Sequence, residues 1–360
     1  NLQEDLEVGN FISIDSGLYS LEVLKKNKKN LKCKVVHGGI VKSRRHVNLP
    51  GTNVKLPGIT KIDKKDIFFG LEQKVDIIAL SFVRNSETIR EARSLLGSRG
   101  DQIKLIAKIE NQEGVDRLEE IVHEADGVMV ARGDLGIEVE MEDLPQIQRH
   151  IAYLCAKYGK RLIVATQLLE SMMEHPVPTR AEVTDVANAV FEQSDAIMLS
   201  GETSIGKYPI ISVETLSRIV KKSEGFPGVN FSEKLVKLKN GEYLAESAIQ
   251  IAGNLKIRAI VVITRNGRGA RYLSNFRPHR IDIFSFTNSP SVLLSMALYR
   301  GVFPFLMEFQ ENPEDTIQDA LKILSKKEGF LVDEKVVVLA NILTGEGYCT
   351  SLQIRKIPSV

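Results

Sequence analysis

Five short apolar runs lie between residues 76 and 200, and each stops abruptly at polar or charged groups. Asp76–Ser81 leads into Ser81-Phe82, and Ile103–Ala107 into Lys108-Ile109-Glu110-Asn111. Val128–Ala131 is followed by Arg132-Gly133-Asp134, Arg161–Ala165 by Thr166-Gln167, and Ala196–Leu199 by Ser200-Gly201-Glu202-Thr203. Runs of this length, dominated by apolar residues, read as strands buried on both faces in a parallel sheet covered by helices. Helical stretches separate them; in one, Ser86–Leu96, Ser86 reads as the N-cap and Glu87 as a first-turn acid. Strand–helix units of roughly 25 to 35 residues define an α/β fold, either a (β/α)8 barrel or an open doubly wound sheet. In both, the carboxyl ends of the strands converge on one face, so five polar strand ends define one site.

The flanking regions differ. Residues 1 to about 51 read as short strands joined by turns at Gly9-Asn10, Asp15-Ser16-Gly17 and His37-Gly38-Gly39. After the Gly- and Pro-bearing stretch Glu224–Gly228 a second strand–helix series begins, with strands near 258–263, 281–285, 301–306 and 335–340. Lys+Arg 48 against Asp+Glu 46 leaves a net charge of +2, which offers no general field for nucleic acid. No apolar run approaches the roughly 20 residues of a membrane span. Three widely spaced cysteines fit a reducing compartment better than a disulfide framework, so a cytoplasmic setting is expected, with an organellar form left open. The lysine-rich run 25–32 lacks the aromatics that stack on bases and reads as a solvated hairpin. The six histidines show no metal-ligand spacing.

The strand-end residues form a coherent chemical set. Glu110 and Asp134 are hard oxygen donors on neighbouring strands, suited to Mg²⁺ (or Mn²⁺) with substrate oxygens and water completing the shell. Lys108 and Glu110, two apart on a strand, point to the same side. A carboxylate-held cation beside a fixed ammonium suits phosphoryl transfer, where catalysis is positioning and charge neutralisation. Gly133 lets a ligand approach the backbone, the amides of 133 and 134 form an anion site if they open a helix, and Thr166 offers a neutral hydroxyl.

The segments LIAKIENQEG (105–114), MVARGDLGIE (129–138), IVATQLLESM (163–172), PTRAEVTDVANAV (178–190) and IMLSGET (197–203) resemble the pyruvate kinase family in order and spacing. The likeness extends to DSGLYSLEV (15–23), VNLPG (47–51) and AIVVITRNGRGAR (259–271). The resemblance implies a partial (β/α)8 TIM barrel, strands four to eight, over 52–222. It also implies part of a small β lid over 1–51 and a C-terminal α/β regulatory domain over 223–360. On this reading three barrel strands, a substrate arginine and the K⁺ ligands lie outside the chain, which begins downstream of the natural N-terminus and is inactive alone.

The implied reaction is transfer of the phosphoryl group of phosphoenolpyruvate to ADP, giving pyruvate and ATP, in a homotetramer. By motif match Glu110 and Asp134 hold the Mg²⁺, and Lys108 stabilises the moving phosphoryl group. Ser81, Phe82, Gly133, Asp134 and Thr166 line the substrate, while Thr166 and Ser200 organise water for protonation of the enolate. Arg45, in Ser43-Arg44-Arg45, reaches nucleotide phosphates. Thr264, Arg265, Asn266, Gly267, Arg268 and Gly269 match the family's sugar-phosphate loop, but Asn266 and Gly269 stand where hydroxyl residues are usual. With a short C-terminal loop at 341–350 that lacks basic residues, a monophosphate effector is expected rather than a bisphosphate. The strand ends by themselves also allow a Mg²⁺-dependent carbon–carbon lyase; Lys108 and Arg45 favour the kinase.

Overall fold

A computed structural model describes all residues except Asn1, Ser16, Asn53, Val54, Asp101, Gly345, Glu346 and Val360; for Leu2, 342–344, 347 and 348 it describes the backbone only. Its contacts group into two compact units. One comprises residues 1–155, 162–190 and 197–221, the other 156–161, 191–196 and 222–360.

The first unit contains two sheets. Strands β1 (Phe11–Ile14), β2 (Tyr19–Lys26), β3 (Leu31–His37) and β4 (Val47–Asn48) form an antiparallel sheet in the order β3-β2-β1-β4. Its core is small: Leu6, Ile12, Val23 and Leu49. The lysine-rich run lies on the β2–β3 hairpin, where Lys25, Lys28, Lys29 and Lys32 are exposed.

Strands β5 (Ile77–Leu80), β6 (Lys104–Ile109), β7 (Gly127–Ala131), β8 (Arg161–Ala165) and β9 (Ala196–Met198) form the second sheet in chain order. The β5–β6 and β6–β7 registers are parallel. Every residue of β7 and β8 is buried, as the unbroken apolar runs require. Helices Lys61–Glu72, Ser86–Leu96, Leu144–Lys157, Arg180–Phe191 and Pro209–Ser223 separate or follow the strands. The N-cap of the second of these is Asn85, not Ser86: the Asn85 side chain accepts from the Thr88 N–H at 3.1 Å. Both residues are good caps, and the backbone turns helical one position earlier than the sequence suggested.

The second unit holds β10 (Ala259–Ile263), β11 (Asp282–Thr287), β12 (Val302–Leu306), β13 (Lys335–Thr344) and β14 (Gly347–Lys356), ordered β12-β11-β10-β13-β14. The first three pairings are parallel and β13–β14 is antiparallel. Period-two alternation sends Ile260 and Val262 to one core and Ala259 and Val261 to the other. The outer strand β12 carries Pro304 at its centre, between the half-exposed Phe303 and the buried-side Phe305. The segment 341–350, expected as a loop, runs largely within β13 and β14, and β14 itself was not anticipated. Gly345 and Glu346, between β13 and β14 in the sequence, lie outside the described residues.

Candidate active site

The β6–β7 register pairs Lys108 with Met129 and Ile109 with Val130, which brings the end of β6 level with the start of the Arg132–Glu138 helix. Lys108 and Glu110 meet as the sequence spacing requires, with Nζ 2.6 Å from Oε1. Lys108 Nζ also donates to Ser81 Oγ at 3.0 Å, joining the ends of β5 and β6. The Glu110 side chain is fully buried. Its Oε2 accepts the Phe82 N–H at 2.7 Å, whereas Oε1 faces the ammonium without a hydrogen bond of acceptable geometry. Phe82 holds a left-handed backbone, φ 51°, which turns its N–H back toward Glu110.

The end of β8 is equally constrained. Thr166 and Gln167 are both left-handed, φ 68° and 53°, an unfavourable conformation for side chains of this kind. The buried Arg132 holds them there: one guanidinium nitrogen donates to the Thr166 carbonyl at 2.7 Å and to the Gln167 carbonyl at 3.2 Å. Its other terminal nitrogen donates to Asp185 Oδ1 at 2.7 Å. Thr166 Oγ1 accepts the Gly133 N–H at 2.8 Å, so its own hydroxyl hydrogen remains to be donated elsewhere. Ser200 is placed by Glu202, whose carboxylate accepts the N–H groups of Ser200 at 2.8 Å and Leu169 at 3.0 Å. Asp134 lies in the first turn of the Arg132–Glu138 helix and Glu138 in its last.

Sequence reasoning passed over Arg132, Glu202, Asn48 and Glu138. Asn48, on β4, donates through Nδ2 to Glu138 Oε1 at 2.9 Å. Desolvation by burial pushes Glu138 above the ordinary carboxylate range; hydrogen bonds from Asn48 and the Leu49 N–H oppose the shift, and the charge of Asp134 adds to it. A cavity of about 850 Å³ adjoins this region, lined by Ser81, Phe82, Asn48 and Glu138 among others. Glu138 was visible only as the residue four beyond Asp134, one helical turn away.

Two further expectations stand apart from the cluster. Arg45 pairs with Asp15 at 3.3 Å, within the antiparallel sheet region. In the second unit, Thr264 is buried after β10, Arg265 lies over the Phe309 ring, and Asn266 Oδ1 accepts the Arg268 N–H at 3.2 Å. Gly267, φ 72°, caps the helix Arg268–Asn275. A Cβ at Gly269 would stand 2.8 Å from Val262 Cγ2, which accounts for glycine where a hydroxyl residue was expected.

Among the described residues no three His, Cys, Asp or Glu side chains gather as a metal cage. Two carboxylates do fit a Mg²⁺ site of the kind that leaves most positions to substrate and water, and the buried Glu110 Oε1, with only the Lys108 ammonium beside it, is the kind of atom such a cation would engage.

A sequentially ordered sheet with its buried charges gathered at the strand ends is the architecture of an α/β enzyme. Family models agree: that of the pyruvate kinase barrel domain matches residues 1–213 and that of the pyruvate kinase alpha/beta domain matches 242–354. Pyruvate kinase of Clostridium perfringens is 38% identical over 364 residues, covering 99% of this chain and 77% of that protein. Pyruvate kinase of Staphylococcus epidermidis is 38% identical over 358 residues, 98% of this chain and 61% of its own length. Pyruvate kinase isozyme G, chloroplastic, of Ricinus communis is 40% identical over 360 residues, 98% of this chain and 85% of that protein. The chain belongs to the pyruvate kinase family, a family of phosphotransferases. The lyase reading falls with that assignment.

Proposed function

We propose that this chain carries the site for Mg²⁺-dependent phosphoryl transfer from phosphoenolpyruvate to ADP, giving pyruvate and ATP. The observation that carries the reading is the Lys108–Glu110 pair, an ammonium 2.6 Å from a fully buried carboxylate oxygen that has no hydrogen bond. Glu110 and Asp134 would hold Mg²⁺ or Mn²⁺, which when bound neutralises charge on the substrate's carboxylate and phosphate. Lys108, anchored by Ser81, faces the transferring group and stabilises charge that grows in the transition state. Thr166 donates its remaining hydroxyl hydrogen to the substrate carboxylate, while Gly133 lets that group approach. Thr166 and Ser200 order the water that protonates the enolate. Ser81 and Phe82 close the substrate side, and Arg45 exchanges Asp15 for a nucleotide phosphate.

Residues 1–51 serve as part of the lid, 52–222 as barrel and 223–360 as regulatory domain, in a cytoplasmic homotetramer with K⁺ as a further cofactor. The 264–269 loop, with its amides at a helix N-terminus, binds a phosphorylated effector, favouring a monophosphate.

The test is an assay of ATP formed from phosphoenolpyruvate, ADP and Mg²⁺ by the polypeptide that carries this sequence in its cell. Activity that requires the cation and disappears with Lys108→Met is the expected result. Failure of the wild-type protein to form ATP would overturn the reading.

A further inference from the structure

Asp134 and Glu138 are separated by one helical turn, so two carboxylates share a helix face and repel. Glu138 is not left to water: Asn48 Nδ2 donates to it at 2.9 Å and the Leu49 N–H donates as well. Both donors come from the end of the antiparallel sheet, where Asn48 is paired with Ser13 on β1. Asn48 is itself only 5% exposed, although 90 residues separate it from Glu138. A buried amide with one charged acceptor is a costly arrangement to break, since both groups then lose their partners. The pair also borders the cavity of about 850 Å³ next to Ser81 and Phe82.

We propose that Asn48 and Glu138 form a latch, and that Glu138 is the positioning residue through which the antiparallel sheet controls Asp134. With the latch made, the donors on Glu138 offset the cost of burying its carboxylate and hold the Arg132–Glu138 helix in register with Thr166. With the latch broken, the Arg132–Glu138 helix loses its tie to β4, and Asp134 and the Gly133 N–H lose their fixed place against Thr166 Oγ1. Cation affinity at Asp134 and seating of the sheet on the helix are then one coupled equilibrium, each favouring the other by the same factor. The part concerning Asp134 as a cation ligand rests on the function proposed above; the mechanical part does not.

Two readouts on the polypeptide that carries this sequence in its cell separate these parts: hydrogen exchange of the amides of Gly133 and 137–139, and Mn²⁺ affinity by electron paramagnetic resonance. Asn48→Leu should speed exchange at these amides by about tenfold, the loss expected for one hydrogen bond to a charged group. It should weaken Mn²⁺ binding by a similar factor. Glu138→Gln keeps the accepting oxygen and should behave like wild type in exchange. The double variant Asn48→Asp/Glu138→Gln reverses donor and acceptor and should restore the protection that Asn48→Asp alone removes. A simple packing defect would not be repaired by this reversal. Unchanged exchange in folded Asn48→Leu, or no rescue in the double variant, would overturn the latch. Wild-type protein that binds no Mn²⁺ would overturn the cation assignment, and exchange alone would then decide the latch.

Discussion

At the scale of single residues, the site depends on charged groups that one or two neighbours hold in place. Lys108 has Ser81 and Glu110 as its partners, so Lys108→Met removes a fixed positive charge without opening the core. Turnover should fall about a thousandfold while phosphoenolpyruvate affinity changes far less, since the ammonium acts where charge moves. Steady-state kinetics set beside equilibrium binding checks this, and near-normal turnover would dismiss the role. Glu110→Gln should weaken Mg²⁺ binding at least about tenfold, because a neutral amide is a poor ligand for a hard cation. Calorimetric titration measures it; unchanged affinity would mean that the cation binds elsewhere. Lys108, Glu110, Asp134, Thr166 and Ser200 were legible because each lies within three residues of the end of an apolar run, and buried strands announce their own ends. Asn48 and Glu138 were not, because no local pattern records a contact between residues 90 apart. Arg132 was read only as part of a tripeptide, since its partners lie on the next strand end and on a helix beyond it.

At the scale of elements, the connections between strands and helices carry much of the order. Glu182 is an example: its carboxylate accepts the Ser171 N–H at 2.7 Å and hydroxyl at 2.6 Å, and the Thr179 N–H at 2.7 Å and hydroxyl at 2.9 Å. It thereby ties the Glu170–Met173 turn to the start of the Arg180–Phe191 helix. Burial pushes its pKa up, but the four hydrogen bonds outweigh burial and hold it below the ordinary range. A depressed folded pKa stabilises the fold above the unfolded value of about 4.3, and the contribution fades as pH falls through the lower folded pKa. Glu182→Gln should therefore cost roughly 1–2 kcal/mol at neutral pH, allowing for partial exposure. Denaturant melts across pH should show the gap between variant and wild type closing in acid; a gap independent of pH would show that the charge is irrelevant. Element types were readable from period and composition, while their edges depended on finer competition. Asn85 and Ser86 are adjacent residues of equal capping quality, and geometry alone decided between them. Strand β14 escaped notice because Thr344-Gly345-Glu346-Gly347 reads as the start of a loop, and only pairing with β13 shows that the chain turns back.

At the scale of the whole molecule, each compact unit has its own requirement. In the second unit, the Asp195 side chain is fully buried and pairs with Arg161 at 2.8 Å and with Arg277 at 2.6 Å. Arg161 further bonds Ser274 and Asn275, and burial lowers its pKa against the pull of Asp195. Asp195→Asn would leave two buried cations short of their counter-charge, at a cost of about 3–5 kcal/mol. Thermal unfolding should register it, and a loss below about 1 kcal/mol would show that water or rearrangement replaces the aspartate. In the first unit, β5 and β9 each pair on one side only among the described residues. A sheet left open at both edges does not enclose a barrel core. Residues 1–360 expressed by themselves should therefore form no measurable ATP from phosphoenolpyruvate and ADP; a clear signal would show that five strands suffice.

Pro304 acts at this same scale, although it touches no site. It occupies the middle of β12, which pairs with β11 on one side and with no described strand on the other. Its neighbours Phe303 and Leu306 are exposed, 46% and 54%, so the outer edge is apolar and suited to recruiting another extended chain. Proline has no N–H to offer such a chain and interrupts any ladder at its centre. The residue that weakens that margin as a strand thereby also denies an incoming chain a continuous ladder of hydrogen bonds.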